Sequence, residues 1–202
     1  MLSDQDIFNR YQQKQAEFEK KSEVTLIGHS LFDMWGDLPQ GTPSLMGKTV
    51  ANLGISGVST RQYLDVIAAQ GAIQHLGETV FFFLGVNDIV KEPQYSPQQV
   101  LDWLQQIIDN IRPLAPSNVR YFLLEATPVN EDQIKTVTNA QIAVLNDYLA
   151  HHCPNELTFI PTQQAFRNDQ GWLADSLSSD GLHFSAKGYD TLAQLLLPHL
   201  TR

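Results

Sequence analysis

The chain has 202 residues, 43% hydrophobic and 17% charged, which suits one domain over 1–202 with a sizeable core and excludes a disordered class. With 13 Lys and Arg against 22 Asp and Glu the net charge is −9, and without a Lys/Arg-rich run this disfavours nucleic acid or an anionic membrane as partner. The single cysteine, Cys153, excludes an intramolecular disulfide framework, and no stretch reaches the ~20 apolar residues that span a bilayer.

Residues 3–21 read as a lead-in helix, within a 1–22 leader that places Ile7, Phe8, Tyr11 and Phe18 at helical spacing. Rich in Gln, Glu and Lys and lacking an apolar h-region, this stretch is unlike a secretory signal, so the expected location is cytoplasmic. Short apolar runs then recur at 24–27, 49–53, 79–84, 119–124 and 157–160. Several are apolar at consecutive positions, as strands buried on both faces of a parallel sheet should be. Between the third and fourth runs, Ser96 to about Arg112 reads as a helix. Ser96 is its cap, Pro97 its first residue, Gln99 the partner in a capping box, and its stripe runs from Val100 to Ile111. Thr138–His152 and Ser185–Leu197 have similar spacing. Strands alternating with helices give an α/β sandwich on a five-stranded parallel sheet, whose ligands bind beyond the carboxyl ends of the strands.

Four of those strand ends and turns carry chemistry-bearing residues. After the first run comes Gly28-His29-Ser30-Leu31-Phe32-Asp33, where Ser30 either caps a helix or lifts its hydroxyl above the sheet edge beside helix-terminal amides. After the second comes Gly54-Ile55-Ser56-Gly57-Val58-Ser59, either a plain turn or a backbone that approaches a ligand. It is neither a dinucleotide fingerprint nor a P-loop. The third run ends in Gly85-Val86-Asn87-Asp88, a turn whose Asn87 amide can donate to an oxyanion. Asp180-Gly181-Leu182-His183 precedes the last helix. An Asp and a His three residues apart can meet, fixing the imidazole tautomer so that the other nitrogen accepts a proton. His151-His152-Cys153 reads as a solvated helix end, since three adjacent residues cannot converge on one ion.

In this order the four blocks resemble the SGNH (GDSL-like) hydrolase superfamily, from residue 24 to 189. The resemblance implies a flavodoxin-like three-layer α/β/α fold and a serine esterase acting on a small acyl ester. Ser30 would be the nucleophile, His183 the base and Asp180 its orienter. The oxyanion hole would comprise the Ser30 and Gly57 amides with the Asn87 side chain. It implies no metal and no organic cofactor, and a small-molecule, carbohydrate or lipid ester as partner. One departure is His29, where the family motif has Asp. Phe32, Trp35 and Trp172 are expected to wall the substrate site. Two rivals stand beside this reading. An α/β-hydrolase is disfavoured because Gly28-His29-Ser30-Leu31-Phe32 lacks the second glycine of G-x-S-x-G. A catalytically silent binding or scaffold protein would keep the fold without turnover.

Overall fold

A computed structural model describes residues 2–201. Its five strands are β1 (Val24–Gly28), β2 (Val50–Asn52), β3 (Thr79–Phe83), β4 (Arg120–Leu124) and β5 (Leu157–Ile160), each within the apolar runs or one residue past them. All pairings are parallel, in the order β2-β1-β3-β4-β5. This is the flavodoxin-like order, in which the chain reverses its direction of travel between β1 and β3. The register sets Gly28 against Phe83, so both strands release their following residues at the same edge.

The helices in chain order are α1 (Asp4–Gln13), α2 (Gln15–Phe18), α3 (Ser30–Asp33), α4 (Thr60–Gln62), α5 (Val86–Lys91), α6 (Pro97–Ile111), α7 (Asn139–His152), α8 (Gln163–Phe166) and α9 (Ala186–Leu196). The lead-in is therefore two helices rather than one, broken at Lys14. At α6 the Ser96 hydroxyl accepts from the Gln99 amide, but the return bond of a capping box is missing. An element that periodicity does not announce follows Ser59. Here Ser59 and Gln62 do form a capping box, and α4 runs on as a π-helical stretch, Tyr63–Ala68. The wider π turn shifts the apolar spacing away from 3.6, and so hides it from a helical template.

Helices cover both faces of the sheet. On one side Val80, Phe82 and Leu84 pack with Tyr63, Ile67, Leu104, Ile108 and Leu145. On the other, Phe81 and Phe83 pack with Phe32, Trp35, Phe166, Tyr189 and Leu192. The alternating residues of β3 thus feed two cores, which is why the strand is apolar throughout. Among the described residues no helix is long and apolar enough to cross a membrane.

Phe82 is wholly buried at the centre of this sheet. Phe82→Ala is expected to lower the unfolding free energy by roughly 3–5 kcal/mol, because the large cavity cannot collapse between close-packed layers. Urea denaturation checks this, and a loss below about 1 kcal/mol would contradict the packing described.

Candidate active site

Ser30 is the first residue of α3, lifted off β1 by the Gly28-His29 turn. Gly28 is obligatory there, since an added Cβ would lie 2.7 Å from the Phe32 ring and 2.8 Å from the Phe83 carbonyl. His29 caps the helix with its ring: Nδ1 accepts from the Leu31 amide at 3.3 Å, while the ring packs 4.9 Å from that of Phe83. Burial, helped by the charge that His183 carries when protonated, pushes the His29 pKa down to about 3. His29 is therefore a neutral acceptor at physiological pH. This explains how the turn tolerates it where the family motif has a carboxylate.

Across the sheet edge, the turn before α9 presents His183. Its Nε2 lies 3.1 Å from Ser30 Oγ, and its Nδ1 lies 2.7 Å from Asp180 Oδ2. The other Asp180 oxygen accepts the backbone amides of Leu182 and His183 at 3.0 and 2.7 Å. Partial burial raises the Asp180 pKa, but these amide bonds and the imidazole outweigh it and hold the carboxyl below its usual range. The turn is itself braced. Ser178 Oγ accepts from the Gly181 amide and donates to the His183 carbonyl, and the Asn130 amide donates to the Gly181 carbonyl. The loop after β4, which carries Asn130, thereby helps to place the acid.

The Gly54–Ser59 loop supplies the third side of the site. Gly54 lies flush on α3, with room for no side chain: an added Cβ would come within 2.5 Å of the Asp33 amide. Gly57 has φ +72°, a left-handed conformation that glycine adopts without penalty. Among the described residues neither the Ser30 amide nor the Gly57 amide is given to a protein acceptor. Asn87, in the first turn of α5, donates one Nδ2 proton to the Val58 carbonyl at 2.9 Å, which leaves its second proton for another acceptor.

Asp33, Arg10, Lys14 and Lys91 hold this loop and are not apparent from motif reading. Asp33, with its side chain fully enclosed, accepts the Ser56 amide at 2.7 Å and pairs with Arg10 and Lys14. Burial raises its pKa, yet the Arg10 bond, the Lys14 ammonium and the Ser56 amide win and hold it at about 2. Lys91, one turn after Asn87, donates to the Gly57 carbonyl at 2.6 Å. Asp88 accepts the Thr60 amide and hydroxyl; burial pushes its pKa up to about 6 against those bonds. Two expected wall residues require correction. Phe32 and Trp35 lie in the core, edge-on to Phe83 and stacked on Tyr189 respectively, Phe32 from the side of α3 that faces the sheet and Trp35 from the turn that follows α3. Trp172 is half-buried, closing the Asn168–Trp172 turn.

The model of the GDSL-like Lipase/Acylhydrolase family matches residues 23–191. The N-acylneuraminate cytidylyltransferase of Escherichia coli O18:K1:H7 is 33% identical over 190 residues, covering 93% of this chain and 42% of that protein. The isoamyl acetate-hydrolyzing esterase of Saccharomyces cerevisiae is 28% identical over 162 residues, covering 71% and 65%. The chain thus spans less than two thirds of either curated relative. Among solved structures, a GDSL-like lipase from Bacteroides thetaiotaomicron superposes with a TM-score of 0.70 at 18% identity, covering 96% of each chain.

The buried, neutral His29 makes stability depend on pH. Its pKa is lowered on folding from 6.5 to about 3, so acidification below 6.5 protonates the unfolded chain first and stability falls. Between pH 7 and pH 5 the parent chain is expected to lose about 2 kcal/mol more than His29→Asn, which keeps a cap acceptor but cannot titrate. Urea midpoints of both chains at the two pH values test this; parallel losses would refute it.

Proposed function

The chain belongs to the GDSL-like lipase/acylhydrolase family, and from the Ser30–His183 contact we propose that it is an ester hydrolase working through an acyl-enzyme. The imidazole is held on one side by the Asp180 carboxylate and presents its other nitrogen to the Ser30 hydroxyl. A proton moving from Oγ to Nε2 makes the serine a nucleophile as it attacks the ester carbonyl, and the adjacent carboxylate stabilises the imidazolium. The negative charge that develops on the carbonyl oxygen would be received by the Ser30 and Gly57 amides and the second Asn87 proton. The first of these is an orphan donor of the α3 N-terminus, and the second belongs to the left-handed turn. Collapse of the tetrahedral species breaks the C–O bond, and the imidazolium gives its proton to the leaving alkoxide. Water, deprotonated by the same imidazole, then releases the acid and restores Ser30.

The substrate we infer is a small ester with an acetyl or short acyl chain. The likeness to the isoamyl acetate-hydrolyzing esterase supports this acyl size. The cytidylyltransferase likeness covers 42% of that protein, so nucleotidyl transfer is not carried across to this chain.

Hydrolysis of p-nitrophenyl acetate, butyrate and octanoate provides the test. Ser30→Ala and His183→Ala are each expected to lower kcat by at least ~1,000-fold with folding intact, and Asn87→Ala by about 100- to 1,000-fold. Acetate is expected to be turned over faster than octanoate. Equal turnover by the parent chain and Ser30→Ala would remove Ser30 from the mechanism. Their sharing a slow background would instead favour a binding role for the domain.

A further inference from the structure

The family model begins at residue 23, yet the segment before it reaches the loop that carries the Gly57 amide at two places. At the first, Lys14 Nζ donates to the Gly54 carbonyl at 2.6 Å and to Asp33 Oδ1 at 2.9 Å. Asp33 uses its other oxygen for the Ser56 amide, and Arg10 bridges both of its oxygens. At the second, Gln62 donates to the Leu2 carbonyl and the Asp4 carboxylate, while Leu2 Cδ1 lies 2.7 Å from where a Gly57 Cβ would stand. Lys14 also marks the break between α1 and α2, as the C-cap of one and the N-cap of the other.

We propose that Lys14 is a positioning residue, and that the lead-in segment is a brace which fixes the Gly54–Gly57 loop in the geometry its oxyanion donor needs. The inference rests on the esterase reading above. A left-handed glycine turn has few internal bonds, so its amide direction is set from outside. The side-chain contacts to residues 54–58 are Asn52 and Lys14 on Gly54, Asp33 on Ser56, Lys91 on Gly57 and Asn87 on Val58. Two of these five, those of Lys14 and Asp33, come from or are held by the lead-in. An ammonium shared between a buried carboxylate and a carbonyl couples α1, α3 and the loop at one point. A neutral side chain in its place would release the Gly54 carbonyl and leave Asp33 with Arg10 and the Ser56 amide, one cation fewer.

The test compares Lys14→Met and Lys14→Arg with the parent chain by p-nitrophenyl acetate turnover and by amide exchange in NMR, with Ser30→Ala as reference. In Lys14→Met, kcat per folded molecule is expected to fall about tenfold with KM unchanged, and the Ser56 amide to exchange about tenfold faster, the order of effect that a small misplacement produces. Lys14→Arg, which keeps the charge, is expected to restore most of both. Unchanged exchange at Ser56 in Lys14→Met overturns the brace, and so does faster exchange with an unaltered kcat. Should Lys14→Met fail to fold, Arg10→Gln loosens the same carboxylate with the same readouts expected. If Ser30→Ala is as active as the parent chain, the esterase reading fails instead, and the exchange data alone decide whether Lys14 holds the loop.

Discussion

The buried carboxylate of Asp33 is the contact on which the rest of the site depends. It sits one turn after Ser30, yet its bonds run outward to the lead-in helix and across to the loop after β2. An enclosed charge of this kind is tolerated only when every lone pair is used, and Arg10, Lys14 and the Ser56 amide use them. The same requirement makes it specific. Moving the loop by an ångström would leave a buried anion short of a donor, a penalty much larger than any gain from slack in the loop. Rigidity at Ser56 is thus a consequence of electrostatics more than of loop packing.

The chemistry collects where the topology allows it. Because β1 and β3 are neighbours although β2 intervenes in sequence, the residues after them emerge side by side. A short helix starts on each: α3 with Ser30, α5 with Asn87. The N-terminus of α3 and that of α5, with Asn87 in its first turn, thus lie at the same edge of the sheet. His183 arrives from the far end of the chain through the turn ahead of α9, held by Ser178 and by the loop after β4. Ser30 and Asn87 stand on helices that start at the sheet edge, while the Gly57 loop and the His183 turn are held by the bonds described above. That rigidity is what preorganised electrostatics needs.

The strands were legible because a parallel sheet covered on both faces needs unbroken apolar runs. A Thr-Val-Phe-Phe-Phe-Leu stretch, rich in β-formers and too short for a buried helix, fits little except a central strand. The strand ends were legible for the same reason, since topology restricts where polar residues can meet a ligand. Much of what escaped the sequence depends on partners far apart in the chain. Asp33 looks like an ordinary turn residue until Arg10 and Lys14 are placed beside it. Phe32 and Trp35 look like pocket walls because they follow Ser30, but Phe32 is on the side of α3 that faces the core and Trp35, just past α3, packs into the same cluster. The π-helical stretch after α4 hid because its period is not one a helical template seeks, although the Ser59–Gln62 cap was there to be read.

His29 shows how a motif position can change its residue and keep its physical task. A cap at this point must accept a hydrogen bond from the first turn of α3, beside the histidine that faces Ser30. A carboxylate would accept the bond and also place a negative charge beside His183. A neutral imidazole accepts the bond without doing so. Its burial against Phe83 keeps it neutral, since protonation there would leave a charge with no counter-ion between the sheet and α3. On the acyl-enzyme reading proposed above, an imidazolium at His183 would be stabilised by Asp180 through the 2.7 Å contact. On that reading the bracing of the Asp180 turn by Ser178 and Asn130 serves the reaction as well as the fold.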